Sequence, residues 1–230
     1  KVLAGGDKVR KTSLGGVKTA AEMLNQMGGN ADVAVLALHY QNDVLHPEGK
    51  IRVGLDADGA VRQRVLHGAA ALLDGARGHG LPIVHVRIAF RPDYADLLAN
   101  CDIFRNVAAI GAVAEGQWGS AFYEGLQPRA ESTREFVVKH TRISAFYGTP
   151  LEETLRLLGA RRLVVAGVAT HSVVEGTVRH AADIGFNVMV AEDACASADP
   201  AVHDASLASM RLIAQTGSVA QAVRWAATPH

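Results

Sequence analysis

Residues 163–170 read LVVAGVAT, a short apolar run that leads into a glycine-containing turn. Runs of this kind, rich in β-branched residues and apolar at consecutive positions, are typical of strands buried on both faces of a parallel sheet. We predict a strand over residues 163–168. A helical pattern follows over residues 173–184 and ends at Gly185, and a second apolar run follows over residues 187–191. The order strand, helix, strand predicts a right-handed crossover between two parallel strands.

The same alternation extends along the rest of the chain. Further strands are predicted at residues 33–38 and 82–87, with a shorter one at 136–138 and a weak one at 218–220. Further helices are predicted at residues 61–77 and 150–158. Repetition of this unit predicts an α/β fold, a three-layer αβα sandwich around a doubly wound, mostly parallel sheet of about six strands.

Length and composition fit one such domain. The chain has 230 residues, of which 49% are hydrophobic and 20% charged. That is enough apolar side chain for a large core, and the charge is too sparse for a disordered chain. We expect one domain over residues 31–230, preceded by a peripheral arm or helix over residues 1–30.

The charge pattern excludes some classes of partner. Lys plus Arg equals Asp plus Glu at 23 each, without a run of like charge, so neither nucleic acid nor an anionic membrane is indicated. The first thirty residues contain no apolar stretch long enough for a signal peptide or a membrane span. Cys101 and Cys195 lie in no disulfide or zinc-binding pattern. We therefore expect a cytoplasmic protein with a small-molecule partner.

Candidate site residues follow the predicted strands, because ligands bind beyond the carboxyl ends of the strands in such sheets. They include His39, Lys139 and the turn at residues 169–174. Residues 90–129 lack clear periodicity and carry several glycines and prolines, which predicts a long loop, and long loops in compact domains are often functional.

Several segments together resemble a known family. They are VLALHYQND at residues 35–43, VVK at 137–139, SAFYGTPLE at 144–152, VAGVAT at 165–170, a helix with Thr177, Arg179 and Ala181, EDA at 192–194, and His203. Their order and spacing resemble those of the isochorismatase-like hydrolases, also called cysteine hydrolases, from about Asp32 to the carboxyl end. The resemblance implies the fold predicted above, a hydrolase that acts on a small organic molecule, and a homodimer or homotetramer.

The resemblance also implies an atypical site. Amide-hydrolysing members of the family use an Asp after the first strand, a Lys after a later strand, and a Cys in the turn after GVAT. By register these positions are His39, Lys139 and Val173 here, so the catalytic Asp and Cys are both absent. The isochorismatase branch also lacks the Cys and acts by protonating a vinyl ether. Nicotinamidase-type relatives bind a metal through an Asp and histidines after the second strand, but residues 87–92 have no Asp-x-His. We expect no metal and no other cofactor.

The residues at these positions suggest their own chemistry. A neutral imidazole at His39 would activate water as a general base near pH 7, and a protonated one would act as an acid. Lys139 beside it would disfavour the imidazolium by like-charge repulsion. The alternatives are a hydrogen-bonded core histidine and a solvated lysine. Backbone N–H groups of Ala169 and Val173 are expected to form an oxyanion hole, next to a non-proline cis peptide from Val168 to Ala169 that the resemblance implies.

Other residues are candidates for substrate contacts. Ser172 lies one position before the lost Cys, and such a shift at a helix start turns a side chain by about 100°, so we expect it to cap the helix, with Ser172 and water both open as the nucleophile. His171 lies in the same turn, where it lines the pocket or a surface loop. Aromatic rings to wall the pocket and arginines to hold a carboxylate are Phe90, Trp118, Phe122, Tyr123, Phe146, Arg87, Arg91 and Arg142.

Three functions stay open. In the first, His39, aided by Lys139, activates water against a C–N, C–O or strained-ring bond, and the backbone stabilises the oxyanion. In the second, a protonated His39 replaces the acid of an isochorismatase that cleaves an enol ether. In the third, the protein is an inactive homologue that binds a metabolite or a partner protein.

Overall fold

Six parallel strands form one sheet in the order β3-β2-β1-β4-β5-β6. The computed structural model describes residues 32–51 and 59–228, so the expected arm over residues 1–30 lies outside the described residues. The strands are Val33–Leu38 (β1), Ile83–Ile88 (β2), Glu135–His140 (β3), Arg162–Gly167 (β4), Asn187–Ala191 (β5) and Gln215–Gly217 (β6). The predicted doubly wound parallel sheet is confirmed.

Helices connect the strands and cover the sheet. They are Asn42–Leu45 (α1), Ala60–Gly78 (α2), Asp102–Ala109 (α3), Leu151–Leu157 (α4), Glu175–Asp183 (α5), Pro200–Met210 (α6) and Val219–Ala227 (α7), with 3-10 turns at Trp118–Ser120 and Glu192–Ala194 and a π-helical turn at Thr170–Val174. α2 packs against α7 and α5 against α6, which gives the helical layers of the sandwich.

The two central strands of the sheet are completely buried. Every residue of β1 and β4 is buried, and the two strands pair from Val33 opposite Arg162 to Leu38 opposite Gly167. The strand order reverses between them, because the chain winds outward from β1 to β3 and then returns to β4. In sheets of this topology ligands bind at the carboxyl ends of the two strands that flank the reversal.

Most predicted ranges agree with the structure to within one or two residues, but two elements near functional or terminal turns begin elsewhere. The last strand is Gln215–Gly217, not residues 218–220, because Ser218 begins α7 with a capping box: its side chain accepts from the Gln221 N–H and its own N–H donates to the Gln221 side chain. The helix predicted over residues 173–184 begins at Glu175, since the π-helical turn occupies the residues before it.

The segment over residues 90–129 is more ordered than its composition predicts. It contains α3, whose Phe104 and Val107 pack with Phe90 and Val113 in a second, smaller hydrophobic cluster. An eight-residue helix with two buried side chains is too short to show a helical period in the sequence.

Candidate active site

The floor of the site is set by the close approach of β1 and β4. A Cβ at Gly167 would lie 2.3 Å from the carbonyl oxygen of Leu38, so only glycine fits at this position. Immediately beyond it, the Val168 N–H donates to that same carbonyl over 3.2 Å. His39 follows Leu38 with φ of 58°, a left-handed conformation, and its N–H donates to the Val86 carbonyl over 2.9 Å. The backbone of His39 is therefore held between two neighbouring strands.

A pocket with an empty volume of about 520 Å³, counting its open mouth, lies at this edge of the sheet. Its walls are mostly apolar side chains from α1, the end of β2, α3 and the loops around them, among them Val44, Ile51, Ile88, Phe104, Ile143 and Val173. The polar side chains that line it are those of His39, Arg142 and Ser172. A ligand in this pocket is surrounded mainly by apolar atoms.

His39 is paired with a second histidine. Its Nε2 lies 2.5 Å from Nε2 of His140, the last residue of β3, and the ring centroids are 4.8 Å apart. Both residues are buried, with 7% and 2% of their surface exposed. His140 Nδ1 lies 3.4 Å from the Ser144 carbonyl oxygen. Of the two rings, only that of His39 lines the pocket.

Burial keeps both imidazoles neutral. It lowers the pKa of His140 to about 4, and a hydrogen bond with the Ser144 backbone opposes that shift. Burial also lowers the pKa of His39 well below its ordinary value; the charge of a protonated His140 adds to the shift, and a hydrogen bond with the Val168 backbone opposes it. Each neutral ring carries a single N–H, so the ring that donates from its Nε2 to the other Nε2 does not also donate from its Nδ1 to a backbone carbonyl. At pH 7 one N–H therefore lies between the two Nε2 atoms.

Lys139 is not the partner of His39. Its Nζ pairs with the Glu115 carboxylate at 2.8 Å on the outer face of β3, where Arg87 also pairs with Glu115 at 3.0 Å. The hydrogen bond from Lys139 is the main reason why the pKa of Glu115 is lowered. The expected contact between Lys139 and His39 is therefore wrong, and it is His140 that contacts His39.

The sequence contained a signal for His140. Side chains of a strand alternate between its faces, and on β3 Val138 and His140 are buried whereas Val137 and Lys139 are exposed. The sequence predicted a strand that ends at residue 138. It therefore did not predict which face of the sheet residues 139 and 140 occupy.

The turn after β4 brings Ala169, Ser172 and Val173 to the pocket. The peptide bond from Val168 to Ala169 is cis, as the resemblance implied. Ser172 does not cap α5, whose first residue follows Val174. The π-helical turn is wider than an α-helical one, so residues 172 and 173 both face the pocket. The oxyanion hole at Ala169 and Val173 stays a prediction.

Most of the other predicted contacts lie elsewhere. His171 is exposed, with Nδ1 2.8 Å from the Ser197 hydroxyl. Phe90 is buried in the second cluster, and Phe146 packs against Phe186. Arg87 is held by Glu115, as above. Among the residues predicted to bind substrate, these four are absent from the pocket, because packing or ion pairs engage them in other places.

The remaining aromatic candidates form a separate surface depression. Trp118 is 51% exposed, lies edge-on to His46 with ring centroids 4.9 Å apart, and lines this depression with Phe122 and Tyr123. Arg91 pairs with Asp93 in an exposed ion pair. The expected role of Trp118 in the pocket is thus wrong as well, whereas Arg142 does line the pocket.

Polar residues after β1 anchor the loop that covers the pocket. The Gln41 side chain donates to the Ile88 and Ser120 carbonyls, each over 2.9 Å, and accepts from the Ile88 N–H over 2.8 Å. The Asp43 carboxylate accepts from the Val113 N–H over 2.7 Å. These buried hydrogen bonds hold residues 88–120 in place over the pocket.

Two further observations concern the described residues. No group of three or more His, Cys, Asp or Glu side chains in residues 32–51 and 59–228 is placed to hold a metal ion. None of the helices within the same residues is both long and apolar enough to cross a membrane.

Known proteins are similar to this chain in sequence and in fold. The isochorismatase domain family matches residues 33–222. The chain is 33% identical over 143 residues to YecD of Escherichia coli, an uncharacterized isochorismatase family protein (62% of this chain, 72% of that one). It is 30% identical over 196 residues to the ureidoacrylate amidohydrolase RutB of Methylobacterium radiotolerans (78% and 73%).

A solved structure extends the comparison to three dimensions. The crystal structure of an isochorismatase family protein from Desulfovibrio vulgaris superposes with a TM-score of 0.75 at 28% identity, covering 86% of this chain and 100% of that one. The family match over residues 33–222 and the shared fold show that the chain belongs to the isochorismatase family.

Proposed function

We propose that this protein hydrolyses a C–N, C–O or strained-ring bond of a small organic molecule, with the His39–His140 pair in place of a cysteine nucleophile. The observation that carries the proposal is the pair itself, two neutral imidazoles 2.5 Å apart beside an apolar pocket. The similarity to an amidohydrolase supports a C–N bond as the first one to test.

In the proposed reaction, a water molecule in the pocket attacks the electrophilic carbon of the substrate. His39 takes the proton of the water as general base and returns it to the leaving nitrogen or oxygen, while His140 holds the other end of the shared proton. Because burial lowers the pKa of both rings, the base is neutral at pH 7, and its imidazolium form is a strong acid towards the leaving group. The N–H groups of Ala169 and Val173 would stabilise the oxyanion. Lys139, held by Glu115, has no part in this scheme.

Both ring nitrogens of His39 already have partners, His140 and the Val168 backbone. Water activation therefore requires that one of these contacts opens when substrate binds. The same observation favours a second candidate function, ligand binding without turnover. Acid catalysis of an enol ether fits less well, because burial disfavours the imidazolium that it needs near pH 7.

The test is a panel of amides, imides, esters and enol ethers assayed with the wild-type protein, His39→Ala and Lys139→Met. We expect turnover of at least one class by the wild type, a loss of about 100-fold or more in kcat/KM for His39→Ala, and a change within about twofold for Lys139→Met. Circular dichroism of each variant checks that it is folded.

The outcomes separate the candidates. Full activity of His39→Ala would overturn the proposal. A rate that falls as pH rises would favour the acid-catalysed reaction, whereas the base mechanism predicts a rate that rises with pH and is level above pH 7. Saturable binding of a panel compound without turnover would favour the binding protein. A homodimer or homotetramer stays a prediction, which light scattering on the purified protein checks.

A further inference from the structure

We infer that the pocket accepts a small hydrophobic carboxylate, with its apolar body against the aliphatic walls and its carboxylate on Arg142. This rests on the proposed function only for the bond that is cleaved at His39; the binding itself does not depend on turnover. The argument begins with Arg142, whose guanidinium differs from most others in the described part of the chain.

Arg142 has no acidic partner within residues 32–51 and 59–228. Its NH1 donates to the Leu98 carbonyl over 3.2 Å and its NH2 to Asn100 Oδ1 over 3.0 Å, both neutral oxygens. The carbon of the guanidinium lies 4.4 Å from the centre of the Phe104 ring. By contrast, Arg105 on α3 pairs with Asp102. A cation that lines a ligand pocket without a counter-ion favours an anionic ligand.

The guanidinium is also oriented in advance. Two of its five N–H groups bind protein oxygens and its carbon lies over the Phe104 ring, so the guanidinium is held in place and its three remaining N–H groups form part of a planar fork. That fork matches a planar carboxylate, and such charge-assisted bonds are stronger beside apolar walls than in water. Charge and geometry together indicate a carboxylate at this side of the pocket.

The rest of the pocket limits the body of the ligand. Apart from Arg142, its polar side chains are His39 and Ser172, and the Ser172 hydroxyl forms no hydrogen bond with the described residues. A sugar or nucleotide would lose hydrogen bonds to water without replacing them against such walls. An alkyl or aryl body with one polar group towards His39 and Ser172 leaves no buried group unpaired.

The experiment uses isothermal titration of the full chain with three probes: 3-phenylpropionate, the neutral alcohol 3-phenylpropanol with the same body, and propionate with the charge but little body. We expect 3-phenylpropionate to bind about tenfold or more tighter than either of the others. Failure of the wild type to bind 3-phenylpropionate at millimolar concentration, or equal binding of the acid and the alcohol, would overturn the inference.

Variants locate the preference. Arg142→Met should weaken 3-phenylpropionate about tenfold or more while leaving 3-phenylpropanol unchanged, and the matched control Arg105→Met should change neither. Equal weakening of both probes by Arg142→Met would show that Arg142 only holds the loop, against the inference. Arg142→Lys, which keeps the charge, should retain part of the preference and serves if Arg142→Met does not fold. Selective binding of 3-phenylpropionate, together with no turnover of any compound in the panel of amides, imides, esters and enol ethers, would leave this inference standing and overturn the proposed hydrolase.

Discussion

Lys139 and His140 are consecutive residues of β3, yet they belong to two different environments. Lys139 lies on the outer face in an exposed cluster with Glu115 and Arg87. His140 lies on the inner face, buried against His39. The outer cluster consists of charged groups that water screens, and the inner pair consists of groups that burial keeps neutral. The face of a strand, rather than the position in the sequence, decides which chemistry a titratable residue carries.

The energetic consequences differ in the same way. Exposed ion pairs contribute about 0–1 kcal/mol each. A shift of one pKa unit corresponds to about 1.4 kcal/mol, so the inner pair contributes more to the pH dependence of the protein than the outer cluster does. The experiments below test this contrast, beginning with the largest expected effect.

Removing His140 should have the largest effect. For His140→Leu we expect kcat/KM to fall by about 100-fold or more on the substrate that the panel identifies, because His39 loses the group that shares its proton. The matched variant Lys139→Leu should change kcat/KM within about twofold. Since His140 acts through His39, the pH profile must also change in His140→Leu. Equal losses of kcat/KM in both variants would show that the two faces of β3 do not differ in their importance for turnover.

Acid should destabilise the inner face next. The pKa of His140 is about 4 in the folded protein and ordinarily near 6.5, so below pH 6.5 the unfolded chain binds the proton more readily. The free energy of unfolding therefore falls as pH drops from 6.5 to 4, by about 3 kcal/mol for this group, and the contribution is intact above pH 6.5.

Urea titrations at pH 7, 5.5 and 4 measure this loss. His39, His85 and His203 also have lowered pKa values, so the wild type alone does not isolate His140. His140→Asn should show a smaller loss between pH 7 and pH 4 than the wild type. Parallel curves for the two proteins would mean that the neutral pair is not what acid disrupts.

Forcing β1 and β4 apart next to His39 should have an intermediate effect on stability. In Gly167→Ala the new Cβ meets the carbonyl oxygen of Leu38 at 2.3 Å, and moving the backbone there is expected to lower the free energy of unfolding by about 1–3 kcal/mol. Gly78→Ala is the control, because nothing lies within 4 Å of a Cβ at that position. Thermal or urea unfolding of both variants at pH 7 checks the prediction, and equal stability of the two would contradict it.

The outer cluster should give the smallest effect. Glu115→Gln removes the common partner of Arg87 and Lys139, and we expect a loss of about 1 kcal/mol or less in stability, with most of it gone in 1 M salt. Turnover should be unchanged. A large loss of activity in Glu115→Gln would show that the outer face takes part in the site after all.

The sequence predicted most of the fold and half of the site. The apolar runs of β1 and β4 determine a buried parallel sheet, because their side chains face helices on both sides. The position of His39 follows from the end of β1, and that of Val173 from the turn after β4. Ser218 shows the limit of such reading: its segment looked like a strand until the capping box placed it at the start of a helix.

By itself, the sequence determined the α/β architecture, the edge of the sheet where the pocket lies, and the absence of a cysteine in the turn after β4. Only the tertiary structure decided that His140 rather than Lys139 meets His39, that Ser172 faces the pocket, and that Arg142 lines it while Phe90 and Trp118 do not. The physical reason is that a shift of one residue turns a strand's side chain to the other face. Which residues then meet depends on segments that lie more than a hundred positions apart, as His39 and His140 do.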